Sequence, residues 1–412
     1  MSAPTPVTPT ASTPARQGLF GSSRNRALVV FGIILLGIVF LFGGDSWITV
    51  FDATMIMAIA ALGLNVLSGY AGQISLGISF FMGVGAYTAG WLGGGKPLFP
   101  GDPSGLGLSW LIWLPAAGIV AALVGALIGP TALRLKGFYL AIVTLALVFI
   151  GQYFFTNLKS ITGGAQGRYN FPTPGFGDFS FASPTPIFGL ELTTNQWFFL
   201  LLLLALTLTA LFVGNVARTR IGRAWQAVRD NEIAASIMGV NLFEAKMGAF
   251  ILSSFLAGIA GALYSSFYGI ATPSTWNLLL SIQLIAAILI GGVANVWGAI
   301  LGAAFVFAVP SALNTFSLLP QSASSTGIAG GDLSTIIYGL LIIVFLLFEP
   351  AGMIGLIGRI RRVLQRLETR RKGGETATTM ASAEHEPQLD VERMDLARPA
   401  DTPPNQGSAT RP

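Results

Sequence analysis

Few side chains in this sequence are equipped for chemistry, and where they fall narrows what that chemistry is. The stretch GYAGQISLGISFFMGVGAY, residues 69–87, carries Gln73 and Ser75 among Gly69, Gly72, Gly77, Gly83 and Gly85, inside a long apolar region; Asn65 lies just ahead of it. Glycine weakens a helix by about 1 kcal/mol relative to alanine, so a run this rich in it breaks, turns or packs closely beside another helix. Unwound backbone in a membrane is tolerated only against protein or a water-filled cavity. Asn65, Gly72, Gln73, Ser75, Gly77 and Gly83 are therefore candidate pathway residues, with Asn65, Gln73 and Ser75 offering neutral hydrogen bonds along a passage. Close helix packing is the competing reading, and the two can coexist. A second glycine-rich break, LIGGVANVWGAILGAA at 289–304, adds Gly291 and Gly292 as pathway candidates, and Gln283 lies upstream of it.

The other informative segment is ARTRIGRAWQAVRDNEIAASIMGVNLFEAKMGAF, a charged stretch between two apolar runs. Asp230 or Asn231 can cap a helix by accepting a backbone N–H bond. Glu232 then sits in the first turn, where the helix dipole favours it, and Gly239 can end the helix in a left-handed conformation. The spacing predicts a helix of about two turns. Ala234 and Ala235 would let another protein's groove approach the backbone closely. Arg218, Arg220, Arg223 and Arg229 could grip acidic groups on that partner or lipid phosphates. An ordinary amphipathic connector is the alternative.

Much else is excluded. There is no cysteine and a single histidine, His385 in a polar tail, so thiolate and imidazole metal sites are closed and no metal or catalytic residue is assigned. GWLGGGKP, residues 90–97, has the Gly-x-x-x-x-Gly-Lys spacing of a phosphate loop, but Pro97 replaces the Ser or Thr that would hold Mg²⁺. No nucleic-acid-binding role is expected.

The elements that must position these residues are membrane helices. The chain has 412 residues, 53% hydrophobic and 10% charged, against about 25% charged in a soluble domain. The apolar runs are long and lack a period of two, so the expected fold is all-α and polytopic, with about ten transmembrane helices and a short capped helix on the cytoplasmic side. The spans fall at 27–43, 48–67, 73–93, 109–129, 138–157, 196–217, 247–269, 277–291, 296–314 and 333–349. With the N-terminus in the cytoplasm, 20 of the 23 Lys and Arg residues lie in inside segments, and only Lys96, Lys159 and Arg168 lie outside, as the positive-inside rule requires. Both termini are then cytoplasmic. Charges within the spans sit only near their ends, which argues against a proton-coupled pump but leaves sodium coupling through backbone carbonyls open.

Outside the spans, residues 1–26 read as a disordered cytoplasmic tail, 27–349 as the transmembrane domain and 373–412 as a second disordered tail. Residues 350–372, with IGLIGRIRRVLQRLETRRK, read as a basic amphipathic helix on the inner leaflet, so membrane lipid is a partner. The long outside loop 158–195 contains ITGGAQGRYNFPTPGFGDF. It either docks a soluble partner, through Gly163, Gly164 and Gln166, or is a connector.

The segment Asn231-Glu232-Ile233-Ala234-Ala235, with Gly239 four residues on, resembles the EAA-x-x-x-G loop of ABC importer permeases. Together with FLAGIAGALY, LNVLSGYAGQISLG, FFMGVGAYTAG, LRLKGFYLAIVTLA, TGGAQG, GGVANVWGAILGAA and FEPAGMIGL, it is similar to the branched-chain amino acid permeases of the LivM/LivH family, on the LivM side. The resemblance runs over about residues 48–360. Ile78, Gln283 and Ala165-Gln166 depart from residues common in that family.

The resemblance implies that Arg229, Asp230, Asn231, Glu232, Ala234, Ala235 and Gly239 form the coupling helix that seats in a separate ATPase subunit. It further implies that ATP and Mg²⁺ are bound by those partners and that this chain holds no cofactor. The remaining implied partners are a sister LivH-like permease and an extracytoplasmic binding protein. The implied substrate is a small amino acid carried into a bacterial cytoplasm across the inner membrane. A permease for urea or short amides, a self-sufficient carrier or channel, and a membrane enzyme are the alternatives; the last finds no cluster of ionisable groups.

Overall fold

A computed structural model describes residues 44–97, 102–132, 137–176, 179–180, 186–187, 190–191 and 194–315, with isolated positions at 32, 34, 37, 339–340, 343, 347 and 352–353. All lie in one unit, residues 1–356. The expected first span at 27–43, the last at 333–349, the surface helix at 350–372 and both tails fall outside the described residues or are touched by them only at isolated positions.

The bundle is built round its most apolar helices. α1 (Asp45–Leu64) runs into a wider π turn at Asn65–Tyr70 and is buried on nearly all sides. α2 (Ile78–Gly93), α3 (Trp110–Ala132) and α4 (Phe138–Asn157) follow. A short helix α5 (Lys159–Thr162) and a tight turn at Gly164–Gln166 lead to two antiparallel two-residue pairings, β1 (Gly175–Phe176) with β2 (Phe179–Ser180) and β3 (Pro186–Ile187) with β4 (Leu190–Glu191). α6 (Thr194–Val216) returns through the bundle. The charged connection folds as α7 (Arg220–Asp230) and α8 (Glu232–Ile237). α9 (Leu242–Tyr268) is followed by a turn at Pro273–Trp276 and by α10 (Leu278–Gly291). α11 (Val296–Ala303), a π segment at Ala304–Ala308 and α12 (Val309–Thr315) form the last described run.

Five of these helices are long and apolar enough to cross a membrane: α1 with its π turn, α3, α4, α6 and α9. α10 and the run from α11 are shorter apolar helices; at 1.5 Å per residue, the 14 residues of α10 rise about 21 Å, less than the ~30 Å hydrocarbon core. The chain is therefore an all-α polytopic membrane protein. The span expected at 73–93 is helical only from Ile78; residues 71–77 are non-helical, because the glycine run cannot sustain the helix there. The span expected at 296–314 is interrupted by the π segment.

α9 is the central strut, packed on α1, α2 and α3, while α1 also meets α6 and α11. Small residues set the closest crossing. A side chain added at Gly85 would overlap the Gly258 carbonyl, and one at Gly261 the Met82 carbonyl, so α2 and α9 touch backbone to backbone, as small-residue helix pairs do in membranes. Ser79 and Ser281, both fully buried, join α2 to α10 through a 2.8 Å hydroxyl bond. The outward faces of α3 and α4 remain apolar, with Ile119, Leu123 and Leu127 on α3 and Phe149, Ile150 and Tyr153 on α4; a bilayer-embedded helix needs no polar face.

One expectation is corrected here. Asp52, two turns into α1, is fully buried in the bundle, so the membrane region does hold an ionisable group enclosed by protein. The sequence places it only near the start of the apolar run; its enclosure by protein is seen in the fold.

Candidate functional site at the end of the bundle that carries the short helix

α8 is held by its own sequence. The Asn231 side chain accepts from the Ile233 and Ala234 N–H groups at 2.9 and 3.0 Å, which caps the helix start. At the other end Gly239, at φ +84°, donates to Ser236 O, and Val240 N–H donates to Ala235 O, both at 3.0 Å. This is the paired closure that a left-handed glycine permits. Glu232 sits in the first turn and accepts from Lys246 Nζ of α9 at 2.6 Å.

The exposed surface of α8 differs from the expected one. Ala235 is 3% exposed and faces the bundle, so it presents nothing outward. Ala234 is exposed, but the larger apolar groups beside it dominate: Ile233, Ile237 and Met238 are 73%, 80% and 84% exposed. Sequence reasoning missed these three. The signal was there in three large apolar residues within a short polar connection, but six helical residues are too few for a periodicity to show which side faces out.

Three contacts tie this knob to the bundle. Trp225 of α7, almost fully buried, donates from Nε1 to Ala245 O of α9 at 2.8 Å. Glu232 pairs with Lys246, as above. Arg229 donates from Nη1 to the Gly69 carbonyl at 3.1 Å while its Nε and Nη2 reach Asp230. Arg229 also lies across Gly72: at φ +68°, Gly72 has room for no side chain, since an added Cβ would sit 2.6 Å from Arg229 Cγ.

The first glycine break is joined to the second by Asn65. This residue is fully buried in the π turn, and its amide donates to Asn295 O at 3.0 Å and accepts from Ala294 N–H at 2.9 Å. Ala294 is the one described non-glycine residue at positive φ, so Asn65 holds a strained turn between α10 and α11. Arg229, Gly69, Asn65 and Ala294 thus form a continuous polar path from α7 to both breaks.

The remaining expected residues are dispersed. Gln73 is buried, and its side-chain amide has no hydrogen-bond partner among the described residues. Ser75 Oγ accepts from Gly77 N–H at 3.3 Å. Gly77 abuts Thr144, and Gly83 abuts Phe155 and Trp276. Gly291 abuts Gly298, while Gly292 turns the chain at φ +113°. Gln283 lines a separate cavity toward the other end of the bundle. Gly163 and Gly164, at φ +76° and +72°, form the turn that exposes Gln166. Beside it Arg168 is fully buried, bridged to Ala271 through its backbone and donating from Nη1 to Ile161 O at 3.1 Å. Burial pushes its guanidinium below the usual arginine range, and Asp102 opposes that shift. Among the described residues there is no group of acidic or histidine side chains that could hold a metal.

An apolar helical bundle with several helices long enough to cross a membrane and a capped, outward-facing knob defines a polytopic membrane protein. Residues 46–346 match the family model described as branched-chain amino acid transport system / permease component, and the chain belongs to that family. It is 29% identical over 347 residues to the high-affinity branched-chain amino acid transport system permease protein LivM of Salmonella typhimurium, covering 81% of this chain and 76% of that protein. The LivM protein of Escherichia coli is 28% identical over the same extent. The ribose import permease protein RbsC of Haemophilus influenzae is 25% identical over 302 residues, 69% of this chain and 84% of that one. No solved structure matches the chain.

Proposed function

We propose that this chain is the LivM-like half of the membrane channel of an ABC importer, carrying branched-chain or related amino acids into a bacterial cytoplasm. The observation that carries this reading is the knob itself: Ile233, Ile237 and Met238 are exposed at a helix too short to be stable alone, which with the preceding α7 is stapled to the bundle at three points. An exposed apolar cluster at a protein's polar end marks a docking site. The partner is a cytoplasmic ATPase subunit, which binds the ATP and Mg²⁺ that this chain has no loop to hold. A sister LivH-like permease completes the channel, and a binding protein delivers substrate at the opposite face, against the turn that exposes Gln166.

In this mechanism closure of the ATPase pair moves α8. The displacement passes through Arg229 to the Gly69–Gly72 break, and through Asn65 to the turn at Ala294, so that the two non-helical breaks shift together while α9 moves with Lys246 and Ala245. The spans then open alternately to either side. Reconstitution tests the reading. Leucine uptake into proteoliposomes should require the ATPase subunits, the sister permease, the binding protein and enclosed ATP together. Uptake by this chain alone would overturn it in favour of a self-sufficient carrier.

A further inference from the structure

Toward the end of the bundle away from α8 lies a cavity of about 370 Å³, open on one side, between the first half of α1, the last turns of α9, the start of α10 and the π segment. Its wall is unlike the apolar surfaces around it. Tyr264, Tyr268, Thr275, Asn277, Gln283 and Ser311 all face it. The Tyr264 and Tyr268 rings lie 4.5 Å apart, and Trp276 meets Tyr264 edge-on at 5.4 Å. Next to Ala53, which lines the cavity, stands Asp52. It is fully buried, and neither carboxylate oxygen has a hydrogen-bond partner among the described residues. Asp52 is not itself part of the cavity wall; Tyr268, which is, lies within its electrostatic reach.

A buried carboxylate without a partner opposes folding, and an ionisable group enclosed in a membrane bundle marks a substrate or ion path. Aromatic faces attract ammonium groups. Two tyrosine rings and a rim of neutral amides and hydroxyls, with the Asp52 carboxyl enclosed one residue from the wall at Ala53, match the head of an α-amino acid, and Met57, Leu279, Leu280 and Phe307 offer apolar surface to its side chain. We infer that this cavity is a substrate-binding vestibule in which Asp52, reached past Tyr268, receives the α-ammonium group, so that the site selects primary ammonium substrates over uncharged amides. The inference rests on the importer reading above and adds to it the residue that reads the charge.

The test uses the assembled transporter in proteoliposomes with binding protein outside and ATP inside. The KM for L-leucine is measured for wild type, Asp52→Asn and Tyr268→Leu, with isoamylamine, which keeps the ammonium but not the carboxylate, as competitor. Asp52→Asn should raise KM about tenfold or more, a loss of ~1.4 kcal/mol or more, and abolish competition by the amine. Tyr268→Leu should raise KM in the same direction. Removing a buried carboxyl group without a hydrogen-bond partner also relieves desolvation, so Asp52→Asn should melt no lower than wild type; weaker binding in a protein of equal or greater stability separates a ligand role from a structural one. An unchanged KM in an Asp52→Asn transporter that assembles normally would overturn this inference and leave the importer reading standing. A wild-type assembly that moves no leucine would overturn the importer reading itself.

Discussion

Arg229 is the residue on which the proposed transmission turns. One side chain spans 160 positions of sequence to hold the Gly69 carbonyl and to cover Gly72. Arg229→Ala should leave α8 folded, because Asn231 and Gly239 close it independently. It should lower uptake about tenfold at an ATPase rate close to wild type, a coupling loss of ~1.4 kcal/mol; paired uptake and phosphate-release assays on one preparation check this. The local cap at Asn231 and the stop at Gly239 could be read from the sequence because both are made within a few residues. The Arg229–Gly69 bond could not, and neither could the Asn65 staple to Ala294, since each joins segments that only tertiary packing brings together. Asp52 was hidden for the same reason: a charge seven residues into a helix is at the surface or enclosed according to its neighbours, and the neighbours come from α9.

At the scale of elements, α4 runs from Phe138 to Asn157, the bounds expected from its apolar run, since Gly137 precedes it and a polar turn follows. Helix ends set by glycine breaks were less legible: residues 73–77 are apolar enough to continue a span yet lie outside any helix. α8 shows the limit most clearly. Its existence was evident, but Ala235 faces inward and Ile233, Ile237 and Met238 face out, and a helix this short has no repeat from which to tell. Replacing Ile237 with Asp should therefore weaken binding of the ATPase subunit by at least about 2 kcal/mol, the loss typical of a central anchor, with the fold retained; titration of the purified subunit against nanodisc-embedded permease measures it. The α10–α11 hairpin makes a separate prediction. A side chain at Gly302 would overlap the Ala287 carbonyl, so Gly302→Val should destabilise the protein by about 1–3 kcal/mol, read as a lower melting temperature in detergent.

For the whole molecule, composition settled the class before any fold was seen: 10% charged residues cannot cover a soluble surface. The positive-inside rule, applied to the distribution of arginine and lysine, predicts that α7 and α8 face the cytoplasm and the Gln166 turn the outside. Because the chain has no cysteine, single cysteines introduced at Gln166 and Met238 report that orientation without background. A membrane-impermeant maleimide added to intact cells should label the first and reach the second only after permeabilisation. The same substitution strategy reaches the central claim, that force from a separate ATPase enters through α8. With cysteine at Ile237 and a second cysteine in the ATPase surface cleft, mild oxidation of the assembled transporter should give a disulfide-linked permease–ATPase pair whose yield changes with bound nucleotide. A complex that assembles and transports but never cross-links from Ile237, Ile233 or Met238 would contradict the account.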